Sequence, residues 1–264
     1  MDVADLFSRL GGTHVHVLPN AGNCGDGLIH MGLHALTQKY LIPTTELLFP
    51  LPAGGRVLFV LGCGNLCRSF DLLVRPIRHY LKRFDRVYFL PCSMDPESPR
   101  VAALLGELQE NVTIFCREAY SAERIAPFVS PRVSIFVDHD LAMHLDYSPW
   151  KQRGEGRLNA FRTDHEGLGY QRPPDNFDVS LLGGSSDGPL LPKIVSRYQE
   201  VHTDRAHVAI TAAMLGKETH IYPNNYHKVR GIAEFSLLSM PHVHFHEAGD
   251  GINLMDSLPE FRRF

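Results

Sequence analysis

The chain lacks any CxxC pair; its five cysteines stand at positions 24, 63, 67, 92 and 116. An odd count without a matched second pair argues against a disulfide framework and against structural zinc. Four of the five lie in or beside apolar, strand-like segments, so buried reduced thiols are expected. No apolar run reaches bilayer length, and the opening MDVADLFSRLGG has neither the basic stretch nor the apolar core of a signal peptide. A soluble, cytoplasmic protein is therefore expected, with visits to the inner face of a membrane left open. Basic charge is not in excess, with 26 Lys and Arg against 29 Asp and Glu. That balance gives no general support for nucleic-acid binding. There is no fixed-period repeat and no low-complexity tract. The dinucleotide fingerprint GxGxxG and the Walker A loop are also missing.

What is present is an alternation of short β-rich apolar runs, glycine- or proline-bearing turns and helical stretches. His14 to Leu18, Arg56 to Leu61, Arg86 to Leu90, Val112 to Cys116 and Val133 to Val137 read as strands. Helices are expected from the first glycine loop to about Tyr40 and near residues 70–84, 101–110 and 121–128. Near-continuous apolar runs with helix-length crossovers predict a parallel sheet covered on both faces. From Asp146 to Asn176 proline, glycine, arginine and glutamate dominate, although Leu158 to Phe161 could form a strand inside this stretch. A second α/β block follows, with strands expected at Val179 to Leu182, Glu200 to His202, Thr219 to Tyr222 and His242 to His246. Its helices are expected near 190–198, 206–215 and 225–238, with a closing helix over 252–264. The expected architecture is α/β with two Rossmann-like domains, residues 1–145 and 177–264, joined by a connecting segment 146–176 and separated by an interdomain cleft.

Two glycine-rich turns follow strong strands: Gly22-Asn23-Cys24-Gly25-Asp26-Gly27 and Gly62-Cys63-Gly64-Asn65. Glycines permit tight turns and close approach of backbone N–H groups to a ligand, and a following helix start favours negative charge. Asn23, Gly25, Gly64 and Asn65 are therefore candidate binding positions for a phosphorylated, anionic small molecule. Asp26 could alternatively serve only to cap its helix.

In the second block, Thr203-Asp204-Arg205-Ala206-His207 marks a strand end and a helix start, with Thr203 or Asp204 as the expected cap. Arg205 offers a planar fork suited to a carboxylate or phosphate, and His207 can move a proton near neutral pH. An arginine at a helix start is electrostatically awkward without an anion nearby. Tyr226 and Lys228 precede another helix and could close over a phosphate or sugar. Arg117 places a further cation at a strand end of the first block.

These segments, in order, resemble the polysaccharide pyruvyl transferase family. The matching stretches are Gly22-Asn23-x-Gly25-Asp26-x-Leu28-Ile29, Gly62-x-Gly64-Asn65, Arg117-Glu118-x-x-Ser121, Val137-Asp138 with Leu141, Thr203-Asp204-Arg205-Ala206-His207 and Tyr226-His227-Lys228-Val229-Arg230-Gly231. Cys63 stands where the family has a middle glycine, and Ala206 where it usually has leucine. The resemblance implies a fold similar to GT-B glycosyltransferases, phosphoenolpyruvate as donor, and a saccharide or lipid-linked oligosaccharide as acceptor. It implies no required cofactor. Arg205 and His207 carry over as functional residues, Arg117 as an anion binder, and Asp26 as an acceptor-side carboxylate. A sugar-nucleotide glycosyltransferase and a non-catalytic carbohydrate-binding protein are the competing readings.

Two further features stay open. His242, His244 and His246 share one strand face by their period-two spacing, which suits a metal or a phosphate but completes no ligand set. The basic helix with Arg75, Arg78, Lys82 and Arg83 could face an anionic membrane surface, or simply water.

Overall fold

The computed structural model describes residues 1–50, 54–64, 66–67, 70–168 and 172–247. The chain divides into two compact units, Met1–Asp146 with Gly183–Leu190, and Tyr147–Leu182 with Leu191–Phe264.

In the first unit, β1 (Val15–Leu18), β2 (Thr44–Glu46), β3 (Gly55–Val60), β4 (Phe84–Cys92), β5 (Val112–Cys116) and β6 (Ser134–Val137) form one sheet. All neighbours are parallel, in the order β2-β1-β3-β4-β5-β6. The connections run through α2 (Cys24–Lys39), α3 (Val74–Tyr80), α4 (Pro99–Glu107) and α5 (Ala119–Ile125). Alternate residues of β3 serve opposite faces: Leu58 and Val60 pack with Ile77 and Leu104, whereas Val57 and Phe59 pack with Phe7, Ile29 and Leu33. A strand buried on both sides must be apolar at every position, which accounts for its uninterrupted run.

The sequence signal missed two elements. One is α1 (Val3–Arg9), closed by a capping box between Asp2 and Asp5, whose first N–H donates to Asp138 Oδ2 at 2.6 Å. The other is β2, three exposed residues with no apolar pattern to betray them. The strand order reverses between β1 and β3, and the two glycine-rich turns leave the carboxyl ends of those two strands. That is the crevice where open α/β sheets receive ligands.

The second unit has β7 (Arg157–Ala160), β8 (Glu200–Thr203), β9 (Glu218–Ile221) and β10 (Val243–Phe245) in a parallel sheet ordered β10-β9-β8-β7. α6 (Leu190–Val195), α7 (Ala206–Met214) and α8 (Lys228–Ile232) connect successive strands, and crossovers of the usual right hand between sequentially ordered strands fall on one face. The expected connecting segment thus contributes β7 to the second sheet. The expected strand at Val179–Leu182 is instead a turn of 3₁₀-helix. Leu181 N donates to the Asp178 carbonyl at 3.1 Å, and the Leu181 and Leu182 side chains are exposed. The expected closing helix lies outside the described residues. Among the described residues no helix is long and apolar enough to cross a membrane.

Helix α2 is packed through its glycines. A Cβ on Gly27 would lie 2.7 Å from Gly188 Cα, and one on Gly32 would lie 2.0 Å from the Leu141 carbonyl oxygen. Gly106 in α4 has room, its nearest neighbour being 3.9 Å from a Cβ. Gly32→Ala should therefore destabilise the first unit by roughly 1–3 kcal/mol or more. Gly106→Ala should stabilise it by about 0.5–1 kcal/mol, because alanine loses less backbone entropy on entering a helix. Urea unfolding followed by circular dichroism checks both signs.

Candidate functional site

At the first unit's strand ends, Asn23 is the N-cap of α2, and its Oδ1 accepts from Gly25 N at 2.8 Å. Asp26 Oδ2 accepts from Asn23 N at 3.0 Å and Oδ1 from Asn20 Nδ2 at 3.3 Å. Asp26 is thus the third-position partner of a capping box, and Gly22 makes room for it: a Cβ there would fall 2.0 Å from its Oδ2. The turn supports itself with the groups expected to face a ligand.

Arg117, expected to bind an anion, is 1% exposed and already has one: its Nη1 donates to Asp140 Oδ2 at 2.7 Å and its Nε to Ser93 Oγ at 2.9 Å. Gly64 follows β3, whose exit passes so close to β4 that a Cβ on Gly62 would sit 2.3 Å from the Leu90 carbonyl oxygen. Asn65 lies outside the described residues. All five cysteines are buried and none forms a disulfide.

The first glycine turn has a counterpart in the linker-like stretch before α6. Gly183-Gly184-Ser185-Ser186-Asp187-Gly188 repeats the G-x-x-x-D-G pattern of Gly22 to Gly27. Asp187 Oδ2 accepts from Gly184 N at 2.9 Å, as Asp26 does from Asn23, and Asn23 and Gly184 form an antiparallel bridge. The two turns pack glycine to glycine within the first unit.

In the second unit the structure gathers Arg205, Tyr226 and Lys228 around carboxylates. Arg205 itself occupies the N-cap position of α7, where Thr203 or Asp204 was expected. Thr203 Oγ1 accepts from Arg205 N at 3.0 Å, and Asp204 Oδ1 from Arg162 N at 2.7 Å. The awkward charge at the helix start is answered from within the chain. Arg205 Nε and Nη2 hold both oxygens of Asp178 at 2.9 and 2.5 Å, and Nη1 meets Asp164 Oδ2 at 3.0 Å. Lys228 Nζ donates to Glu166 Oε2 at 2.9 Å and Tyr226 Oη to Oε1 at 3.2 Å. Arg162 bridges the two groups, donating to Asp164 at 2.7 Å and pairing with Glu166. His207, the second residue of α7, is half-buried.

A cavity of about 120 Å³ opens between Phe161, Arg162, Asp164, Leu168, Arg172 and Asp204. Asn224, just beyond β9, is 5% exposed and its amide makes no hydrogen bond to the described residues. A larger cavity, about 580 Å³, lies by Phe84 and Val112 at the amino ends of β4 and β5, the opposite sheet edge from Arg117. Arg78, which lines it, pairs there with Glu107 at 2.7 Å.

Arg162, Asp164, Glu166 and Asp178 were not anticipated, and Asp204 only as a helix cap. A signal existed: Arg162-x-Asp164-x-Glu166 directly follows an apolar run, but it sits in a stretch whose proline and glycine content reads as a linker. Burial alone would raise the Asp164 carboxyl. The hydrogen bond from Arg162 and the charge of Arg205 instead hold it well below the ordinary carboxylate range. Glu166 is likewise lowered, by Lys228 and Arg162, against the effect of its burial. Asp204 goes the other way: burial outweighs the bond from Arg162 and pushes it from 3.8 to about 6.

The folded chain thus takes up this proton more readily than the unfolded chain. The favourable contribution is full below pH 3.8 and disappears as the pH climbs to about 6. Asp204→Asn keeps the acceptor for Arg162 without the buried charge. It should exceed the wild type in stability at neutral pH by about 1–3 kcal/mol, and the gap should close in acid. Urea unfolding of both proteins at neutral pH and at the acid end of this window checks the sign.

No protein-family model matches the chain, and no curated protein matches it. Among solved structures, a crystal structure of a functionally uncharacterized protein from Klebsiella pneumoniae subsp. pneumoniae NTUH-K2044 superposes with a TM-score of 0.79 at 26% sequence identity. The match covers 93% of this chain and 97% of that one.

Proposed function

We propose that the chain is a transferase of the GT-B type that moves a pyruvyl group from phosphoenolpyruvate onto a saccharide as a ketal. The reading rests on the ordered resemblance of its motifs to pyruvyl transferases. The observation that carries it is the meeting of Arg205, Tyr226, Lys228 and the unpartnered Asn224 amide at the carboxyl ends of one parallel sheet. The cavity beside them, about 120 Å³, is well below the roughly 300–1,000 Å³ of pockets for drug-sized ligands. That size favours a three-carbon acid over a sugar nucleotide.

In this scheme the donor carboxylate takes the place of Asp164 on Arg205 Nη1. Asp164 is the more exposed partner, at 26% against 5% for Asp178, and it keeps its bond to Arg162 while Arg205 keeps Asp178. His207 delivers a proton to the methylene carbon as positive character develops at its neighbour. One sugar hydroxyl adds there and its proton returns His207 to the acid form; the carbon–oxygen bond to phosphate breaks, a neighbouring hydroxyl closes the ketal, and its proton leaves with the phosphate. The chemistry needs no redox cofactor. Arg117 and Asp26, committed to Asp140 and to the α2 cap, hold the first unit's strand ends in place and do not touch the donor.

His207→Ala should lower turnover by about 10²–10⁴-fold, the usual worth of a general acid, with phosphoenolpyruvate affinity largely kept. Phosphate release together with mass gain on candidate glycans measures the first, and calorimetry the second. Undiminished turnover in this variant, or tight binding of a nucleotide sugar with none of phosphoenolpyruvate, overturns the proposal.

A further inference from the structure

The second sheet has a polar face. His202 on β8, His220 on β9 and His244 on β10 lie in register across three adjacent parallel strands. Two positions before His202 and two after His220, Glu200 and Tyr222 point to the same side. The rings of His202 and His220 stack at 4.4 Å, and those of Tyr222 and His246 at 4.6 Å. A parallel sheet is ordinarily sealed by apolar contacts on both faces. A row of imidazoles there serves no packing purpose that valine would not serve better.

We infer that Glu200, His202 and His220 form a binding site for a divalent transition-metal ion of the zinc class. Their ligand atoms all lie within 4.8 Å of one another. His202 Nε2 is 2.6 Å from Glu200 Oε1, and His220 Nε2 is 3.8 Å from the same oxygen. Zinc bonds nitrogen and carboxylate oxygen at about 2.0–2.2 Å, so small ring rotations bring the three donors onto one ion.

The surrounding hydrogen bonds orient both ligands. His202 Nδ1 is 2.9 Å from Tyr222 Oη, and His220 Nδ1 is 2.9 Å from His246 Nε2. Each far nitrogen thus has a fixed partner that orients its ring, and since Tyr222 Oη and the His246 ring can accept as well as donate, the tautomer that bares Nε2 for a metal is open to both histidines. Glu200 is itself held by Arg157 Nε at 3.0 Å.

Burial, together with neighbouring His202 and His246, lowers His220 to about 4, and burial lowers His202 against the pull of Glu200. The donors keep partial access, Glu200 being 29% and His220 21% exposed, so an ion has a path in. Two histidines and one carboxylate leave a fourth tetrahedral position for water or another ligand. His242, expected to share this face, turns away: its Nε2 meets the Ala213 carbonyl of α7 at 2.9 Å.

Tag-free full-length protein, stripped with a chelator, would be titrated with Co²⁺ and then Zn²⁺ by calorimetry and visible absorption. One Co²⁺ should bind per chain with ligand-field bands of a low-coordinate nitrogen and oxygen site, and Zn²⁺ should displace it. Glu200→Gln, nearly isosteric, and His220→Ala should each weaken binding about tenfold or more, while His244→Ala, outside the ligand set, should leave it unchanged. Circular dichroism verifies folding, and Glu200→Gln decides the matter should His220→Ala fail to fold. Absence of Co²⁺ and Zn²⁺ binding in the wild type, or wild-type affinity in Glu200→Gln, overturns the assignment.

Discussion

Three cations sit almost fully buried at the strand ends of the second unit, and each needs a carboxylate. Arg162, Arg205 and Lys228 are 5%, 6% and 9% exposed. A buried charge stripped of its partner costs several kcal/mol, so their counter-ions are structural requirements. Asp164, Glu166 and Asp178 supply them from the stretch after β7. Arg205, at the start of α7, therefore ties down Asp164 and Asp178, and Lys228, at the start of α8, ties down Glu166. One network orders a proline- and glycine-rich segment that has little apolar surface of its own to bury.

The first unit solves the same problem with less charge and closer backbone. Arg117 and Asp140 form a fully buried pair behind β5. Elsewhere the packing depends on missing side chains: Gly27 against Gly188, Gly32 against Leu141, Gly62 against Leu90. Two turns of the same G-x-x-x-D-G pattern, distant in sequence, use the aspartate in the same way, to cap the chain just ahead of it. The conformational freedom of glycine matters less here than its small size.

The polar face of the second sheet follows from topology. Strands added one after another in a single direction send every crossover to the same side. The opposite face is then released from apolar packing, and β8, β9 and β10 fill it with glutamate, tyrosine and histidine. Burial lowers the pKa of His202 and His220, the two imidazoles at the centre of that face.

Periodicity and turn chemistry by themselves determined the α/β class, five of the six strands of the first sheet and the three later strands of the second. A run that must be apolar on both faces is visible without coordinates. A capping role for Asp26 in α2 was legible from its place at a helix start, whereas the N-cap itself is Asn23, three residues earlier. Three-residue β2 and seven-residue α1 carry too few residues for a period, and Val179–Leu182 has a strand-like composition but a turn's hydrogen bonding. The partners of Arg205 and Arg117 were decided by tertiary structure alone, because Asp178 and Asp140 lie 27 and 23 residues away in the chain. The alignment of His202 with His220 likewise arose only when two strands chose their register. Local pattern reports what a residue must bury or cap; which charge or ring meets another across the fold is settled by long-range pairing, whose energy no short window of sequence contains.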